Sequence, residues 1–343
     1  MPKRANRSPN WAAWPEEKLL DLRLCDLGLK IEGSWMEECI EQLYDELAAK
    51  GFRFRPHCWL SDEWFCPDGV PGIAIPFFLL HPRLRRLERR YMREVEGHTR
   101  STCMKLLRHE TGHAIANAYL VHRKSSWRKH FGLASQKYPH TYLPNPYSKR
   151  FVINLDNWYA QSHPHEDWAE TFAVWLKPRS DWRIAYRGWS ALKKLEYVDK
   201  LMEDVKDQKM LVWSRWQPRS LRTLRITLGK YYEKKRAYYG VEDPDVYDDE
   251  LRKLFSDGKQ DKKNEKASDY LQRVRPEVLE IVSRWTSIYR YRIKQVIQDM
   301  IVRCDKLDLH VPNNHKKMKL ELVACLTMLV MNFLYNKRFH IVV

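Results

Sequence analysis

The 343-residue chain contains no run of about 20 apolar residues, the length a helix needs to cross a bilayer. Its longest apolar stretch, "LVACLTMLVMNFLY" from Leu322 to Tyr335, reads instead as a helix buried in a core. The opening "MPKRANRSPNWAAWPEEK" has basic character but no apolar segment of 7–15 residues behind it, so no secretory signal is expected there. Cysteine is sparse and unpatterned: seven residues (Cys25, Cys39, Cys58, Cys66, Cys103, Cys304, Cys325) form no Cys-x-x-Cys pair, which excludes a zinc ribbon and a disulfide framework. Such usage suits a reducing cytoplasm. There is no Gly-rich phosphate loop, zinc finger or RNP-type motif, and no internal repeat.

Acidic residues are also in deficit, 44 against 61 Lys and Arg, which leaves a formal charge of +17. Attraction to an anionic partner is therefore physically open. Much of the excess, however, lies in helix-spaced runs such as "RLRRLERRYMRE", where Leu84, Leu87, Tyr91 and Val95 form an apolar stripe and the arginines take the other face. A second basic stretch, "VWSRWQPRSLRTLR", interleaves Trp213 and Trp216 with Arg215, Arg219, Arg222 and Arg225, as a nucleic-acid-binding surface would. Against that reading, Leu221, Leu224 and Leu228 have ordinary helix-core spacing.

Periodicity predicts a loose tail over 1–13, a main domain over 14–255, a charged linker or loop over 256–268 ("SDGKQDKKNEKAS") and a helical region over 269–343. Ser34 and Glu37 form a capping box before a helix that stops at Gly51. "FRFR" alternates like a strand, and "GIAIPFFLL" (Gly72 to Leu80) is a nearly continuous apolar strand. Pro76 removes a ladder donor, so this strand is expected to lie at a sheet edge or carry a bulge, and to offer an open edge to an added extended peptide. Past the linker, Val278, Ile281, Val282, Trp285, Ile288 and Tyr289 recur at helical spacing as a core stripe, as do Val296, Ile297, Met300 and Ile301.

Within "LLRHETGHAIANAYL", His109, Glu110 and His113 spell His-Glu-x-x-His. With 13 His in 343 residues, chance would give this pattern only about 0.03 times. On a helix, residues four apart are separated by about 40° of rotation and ~6 Å of rise, so both imidazoles can address one ion. A catalytic zinc needs a third protein ligand and an open position for water. The best source is "YAQSHPHEDWAETFAVWL", where Glu166 and Glu170 are again four apart on a helix that Trp168, Phe172 and Trp175 mark as packed. A cation compensates the cost of burying such carboxylates; pairing with surface Arg or Lys is the alternative. His163 and His165 flank Pro164 and read as loop or helix-cap residues, because a fourth protein ligand would displace the water.

The combined pattern resembles the gluzincin class of zinc peptidases. It is similar above all to a bacterial family of zinc-binding metallopeptidases whose "YA-x-SHP-x-EDWAET" segment looks like residues 159–171, and whose N-terminal portion looks like Phe54 to Leu84. The likeness covers about residues 20–240, and the Cys pairs of the zinc ribbon that some relatives carry are missing. It implies an α+β, mainly α, zincin-like fold: a small sheet beside an active-site helix, and a helical C-terminal portion. It further implies one zinc per chain on His109, His113 and Glu166, and peptide or related amide hydrolysis by a zinc-activated water. Glu110 would be the general base and Glu170 an acceptor for a ligand imidazole. Tyr159 matches the oxyanion-stabilising tyrosine of lethal-factor-like gluzincins; a core aromatic is its other reading. A peptide or protein is the implied substrate, and a basic module binding nucleic acid or another anion is the rival. Oligomeric state is left open.

Overall fold

The structure, a computed structural model, describes residues 10–92, 94–139, 141–142, 145, 148–239, 247–286, 290–313, 317–335 and 341–342. Two compact units emerge, Met1–Tyr238 with Val342–Val343, and Tyr239–Ile341. Each has its own hydrophobic core. The architecture is α+β and mainly α, as the sequence predicts.

In the first unit a 3-10 turn, Asn10–Ala13, precedes α1 (Glu16–Leu20). Residues 1–9 of the expected tail lie outside the described residues; the remainder is anchored by Trp11, which is buried and donates Nε1–H to Leu27 O at 3.0 Å. Next, α2 (Trp35–Ala49) is capped by Ser34 Oγ, which accepts from Met36 N at 3.2 Å. Glu37 accepts from Gly33 N at 2.7 Å rather than closing a box on Ser34.

One two-stranded sheet consists of β1 (His57–Ser61) and β2 (Gly72–Pro76), parallel, in register from His57↔Gly72 to Ser61↔Pro76. "FRFR" does alternate in burial, with Phe52 and Phe54 inside, but the ladder starts only beyond Pro56, which has no N–H to give. "GIAIPFFLL" is likewise a strand only to Pro76; Phe77–Leu80 is a 3-10 turn. The edge expected to be open is covered at one position. Ala74 N donates to Phe65 O at 2.9 Å, so an antiparallel bridge holds β2 in mid-strand on the side away from β1.

Beyond the sheet come α3 (Pro82–Met92), α4 (Arg100–Tyr119), α5 (Ser125–Phe131), α6 (Pro164–Leu176), α7 (Trp182–Ala185), α8 (Ala191–Val205) and α9 (Leu228–Tyr239). Arg108 on α4 binds both oxygens of Glu46 on α2 at 2.7 Å, a buried bidentate pair that fixes one helix on the other. The stretch in which Leu221, Leu224 and Leu228 have helix-core spacing opens instead with a 3-10 turn, Leu221–Thr223, followed by extended chain. Leu24 N and Cys25 N donate to Ile226 O and Leu224 O, both at 3.0 Å. Leu221 and Leu228 are buried nonetheless, so their spacing reports burial and not one helix face.

The second unit holds α10 (Asp248–Leu254), α11 (Ala267–Thr286), α12 (Arg290–Lys306) and α13 (Met318–Tyr335). Val278, Val282, Val296, Ile297, Met300 and Ile301 are buried as expected. Trp285, in the last turn of α11, is instead 81% exposed, and Ile288 and Tyr289 lie outside the described residues. Within the charged stretch 256–268, Ser256 and His310 exchange backbone hydrogen bonds of 2.9 and 2.8 Å, and Asp261 is buried. Among the described residues no helix is long and apolar enough to cross a membrane.

Candidate metal centre

Both helices of the site are built to be buried. The first, α4, starts from a reciprocal cap in which Thr99 Oγ1 accepts from Thr102 N and Thr102 Oγ1 accepts from Thr99 N, each at 3.2 Å. From Cys103 to Tyr119 nearly every side chain is buried. Pro164 at the first position of α6 loses no helical hydrogen bond, and His163 Nδ1 accepts from His165 N at 3.1 Å, capping the helix as expected of these residues.

The two helices meet where side chains are smallest. A Cβ added to Gly112 would lie 2.9 Å from Ala169 Cα and 3.2 Å from Phe172 Cβ. Trp168 Nε1 donates to Gly112 O at 2.8 Å across the same crossing. Since Gly112 precedes His113 and Ala169 lies three residues after Glu166, this close approach carries Glu166 to the imidazole pair.

There His109 Nε2 lies 3.0 Å from Glu166 Oε2, and His113 Nε2 lies 3.2 Å from both His109 Nε2 and Glu166 Oε2. The three residues form a cluster of the composition and closeness that could hold a metal ion. Four ligands about 2.05 Å from a tetrahedral zinc would stand about 3.3 Å apart, close to these separations.

The surroundings fix which atoms face inward. His109 Nδ1 lies 2.8 Å from Glu170 Oε1, and a carboxylate can only accept, so the imidazole proton sits on Nδ1. Nε2 then turns a lone pair toward Glu166 Oε2. Glu170 is held by Asn154 Nδ2 and Leu155 N, both donating at 2.8 Å. Three lone-pair atoms cannot pack this closely without a cation between them, either a proton or a metal. Without a metal that cation is a proton: burial opposes a positive His109, yet the Glu166 and Glu170 carboxylates hold its pKa well above the ordinary value. Burial opposes an ionised Glu166, yet the His113 and His109 rings hold its pKa well below. The residues therefore fit a metal cation.

Glu110 is buried beside this cluster and, among the described residues, has no hydrogen-bond or ion-pair partner. Burial raises its carboxyl above the ordinary value, with the His109 and His113 rings pulling the other way. The Tyr159 ring lies 5.7 Å from the His109 ring, and no described residue bonds its hydroxyl. Burial and the Glu166 charge resist its ionisation, which keeps the hydroxyl a donor. All six residues singled out from the sequence thus converge on one place. Two partners carry no sequence signal: Asn154, and Tyr138, whose hydroxyl donates to Glu166 Oε1 at 2.8 Å. His163 and His165 lie outside the cluster.

Fold and site together define a mainly helical protein in which two helices bring together a buried His, His, Glu cluster suited to a metal. Residues 83–218, which contain the whole cluster, match the family described as "Putative zinc-binding metallo-peptidase". That match bears out the resemblance to a zinc-binding metallopeptidase family, over a narrower span that leaves out most of Phe54 to Leu84. Comparison with curated proteins and with solved structures gave no match.

Proposed function

We propose that the chain is a zinc-dependent peptidase that hydrolyses peptide or related amide bonds. The observation that carries this reading is the convergence of His109 Nε2, His113 Nε2 and Glu166 Oε2, with Glu170 fixing the His109 tautomer. His109, His113 and Glu166 would hold one zinc per chain. When bound, zinc would supply a Lewis acid that polarises the amide carbonyl and lowers the pKa of water in the cleft.

The chain's own groups do the rest. Glu110, unpaired and made more basic by burial, takes the proton that water loses as its oxygen attacks the carbonyl carbon. Glu110 then returns that proton to the amine as the C–N bond breaks. Tyr159 donates its free hydroxyl to the oxyanion that develops on the substrate. The free thiols of all seven cysteines accord with a reducing cytoplasm as the place of action.

Metal content of the purified protein beside His113→Ala, measured together with cleavage of a peptide library, tests the proposal. One equivalent of zinc, lost on substitution together with hydrolysis, is expected; a wild type that binds no zinc would overturn it.

A second reading, binding to an anionic partner such as single-stranded nucleic acid, is favoured by one observation. Trp213 and Trp216 are 68% and 64% exposed on backbone pinned at both ends. Leu211 N and Val212 N donate to Ala118 O at 2.8 and 3.1 Å, and Trp59 Nε1 and Ser61 Oγ donate to Pro218 O and Arg219 O at 3.1 and 2.8 Å. Salt-dependent retention on nucleic acid without metal-dependent hydrolysis would make it the primary function.

A further inference from the structure

The loop that follows α5 is tied to the start of α6 through one histidine. His163 Nε2–H donates to Gln136 O at 2.8 Å, while its Nδ1 accepts from His165 N. Both ring nitrogens are thereby used, and the imidazole plane is fixed. Tyr138 stacks on that plane, with 3.7 Å between ring centroids and 18° between rings. Although Tyr138 is 49% exposed, the stack aims its hydroxyl inward, onto Glu166 Oε1 at 2.8 Å. Glu166 is thus divided: Oε1 belongs to Tyr138, and Oε2 faces both imidazoles.

We propose that Tyr138 is a positioning residue that holds Glu166 Oε1 and so reserves Oε2 alone for the metal. The inference rests on the zinc reading above. A carboxylate with both oxygens free can turn to chelate a cation through the pair, which would take the coordination position that water needs. A charged oxygen that accepts from a fixed phenol resists that turn, because chelation would have to break a charge-assisted hydrogen bond. Tyr138 and Tyr159 are not interchangeable. The Tyr159 hydroxyl has no described partner and is available to substrate, whereas the Tyr138 hydroxyl is committed to Glu166. The donor is held by the loop–His163 stack and not by the metal helices themselves, so the loop carries the position of the third ligand.

The test compares wild type with Tyr138→Phe, which keeps the stack and removes only the hydroxyl. Zinc affinity is measured by competition with a chelator, and coordination by the visible spectrum of the Co²⁺-loaded protein. Tyr138→Phe is expected to bind zinc about 10- to 100-fold more weakly, the usual effect of losing a hydrogen bond to a metal ligand. Its cobalt bands should weaken as a second carboxylate oxygen joins the metal. In a Glu166→Ala background the same substitution should change affinity less than about twofold, since the side chain it acts through is gone. Equal loss in both backgrounds, or wild-type affinity with an unchanged cobalt spectrum in Tyr138→Phe, would overturn the positioning role. A wild type that takes up neither zinc nor cobalt would instead overturn the zinc reading and this inference with it.

Discussion

Glu110 is the residue on which the proposed chemistry turns, because it is the carboxylate of the site that no neighbour claims. Glu166 is shared by two imidazoles and Tyr138, and Glu170 by His109, Asn154 and Leu155. Glu110→Gln keeps the shape and removes the base, so the variant should fold and retain zinc while hydrolysis falls ~10²- to 10⁴-fold. Full turnover by the zinc-loaded variant would rule out the role. Glu170→Ala should weaken zinc binding by about 10- to 100-fold, far less than Glu166→Ala, because it acts through His109; titration against a chelator ranks the two. His165 supplies a pH signature. Burial pushes its imidazole down to about 4, reinforced by His113, His122 and His163 and opposed by Asp68. A histidine depressed on folding contributes stability that is complete above its unfolded pKa, ~6.5, and lost as pH falls toward the folded value. His165→Gln should therefore flatten the fall of the melting temperature between pH 6.5 and about 4; an unchanged slope would show that other groups set it. At this scale the motif residues were legible because helix spacing carries them. Asn154 and Tyr138 were not, since a contact made through a loop leaves no period.

The crossing of α4 and α6 is what converts two motifs into one site. Helix periodicity shows which faces of α4 and α6 are buried, yet it says nothing of which residues meet, and here the meeting point is Gly112 against Ala169. A methyl at Gly112 would press on backbone, which cannot rotate away as a flexible side chain can. Gly112→Ala should cost roughly 1–3 kcal/mol of stability, the usual range for overpacking. It should also weaken zinc binding by shifting Glu166 away from His109 and His113. Thermal melts of the metal-free and zinc-loaded variant measure both effects, and a wild-type zinc-induced rise in melting temperature would show that the crossing does not set the site. The other elements illustrate the limits of pattern reading. The apolar run marks β2, but β1 lies beyond the alternating "FRFR", and the cover that Phe65 gives Ala74 comes from a loop without strand periodicity. The run Leu221 to Leu228 has helical spacing but pairs its backbone with Leu24 and Cys25, so a tertiary partner outweighed local propensity.

Charge is distributed over the whole molecule in a way that separates the two proposed readings. From Gln208 to Tyr232 there is no Asp or Glu, while Arg215, Arg219, Arg222 and Arg225 accompany two exposed indoles. Arg219 is partly committed, since its guanidinium bonds Asp62 at 2.6 Å. Rigid backbone with outward indoles suits base stacking, because little further order is lost on binding, and free guanidinium groups beside it suit phosphates. If this surface binds single-stranded nucleic acid, Trp213→Ala and Trp216→Ala should each weaken binding by about 10- to 100-fold, the usual value of one stacked base. Arg215→Ala should instead lower the slope of log affinity against log salt by about one phosphate contact. Neither set should alter cleavage of a short peptide, and Glu110→Gln should leave oligonucleotide binding intact. Fluorescence anisotropy with a labelled oligonucleotide at several salt concentrations measures all four variants. Binding that survives loss of both tryptophans, with the salt slope of wild type, would mean that the +17 charge attracts polyanions without a dedicated surface.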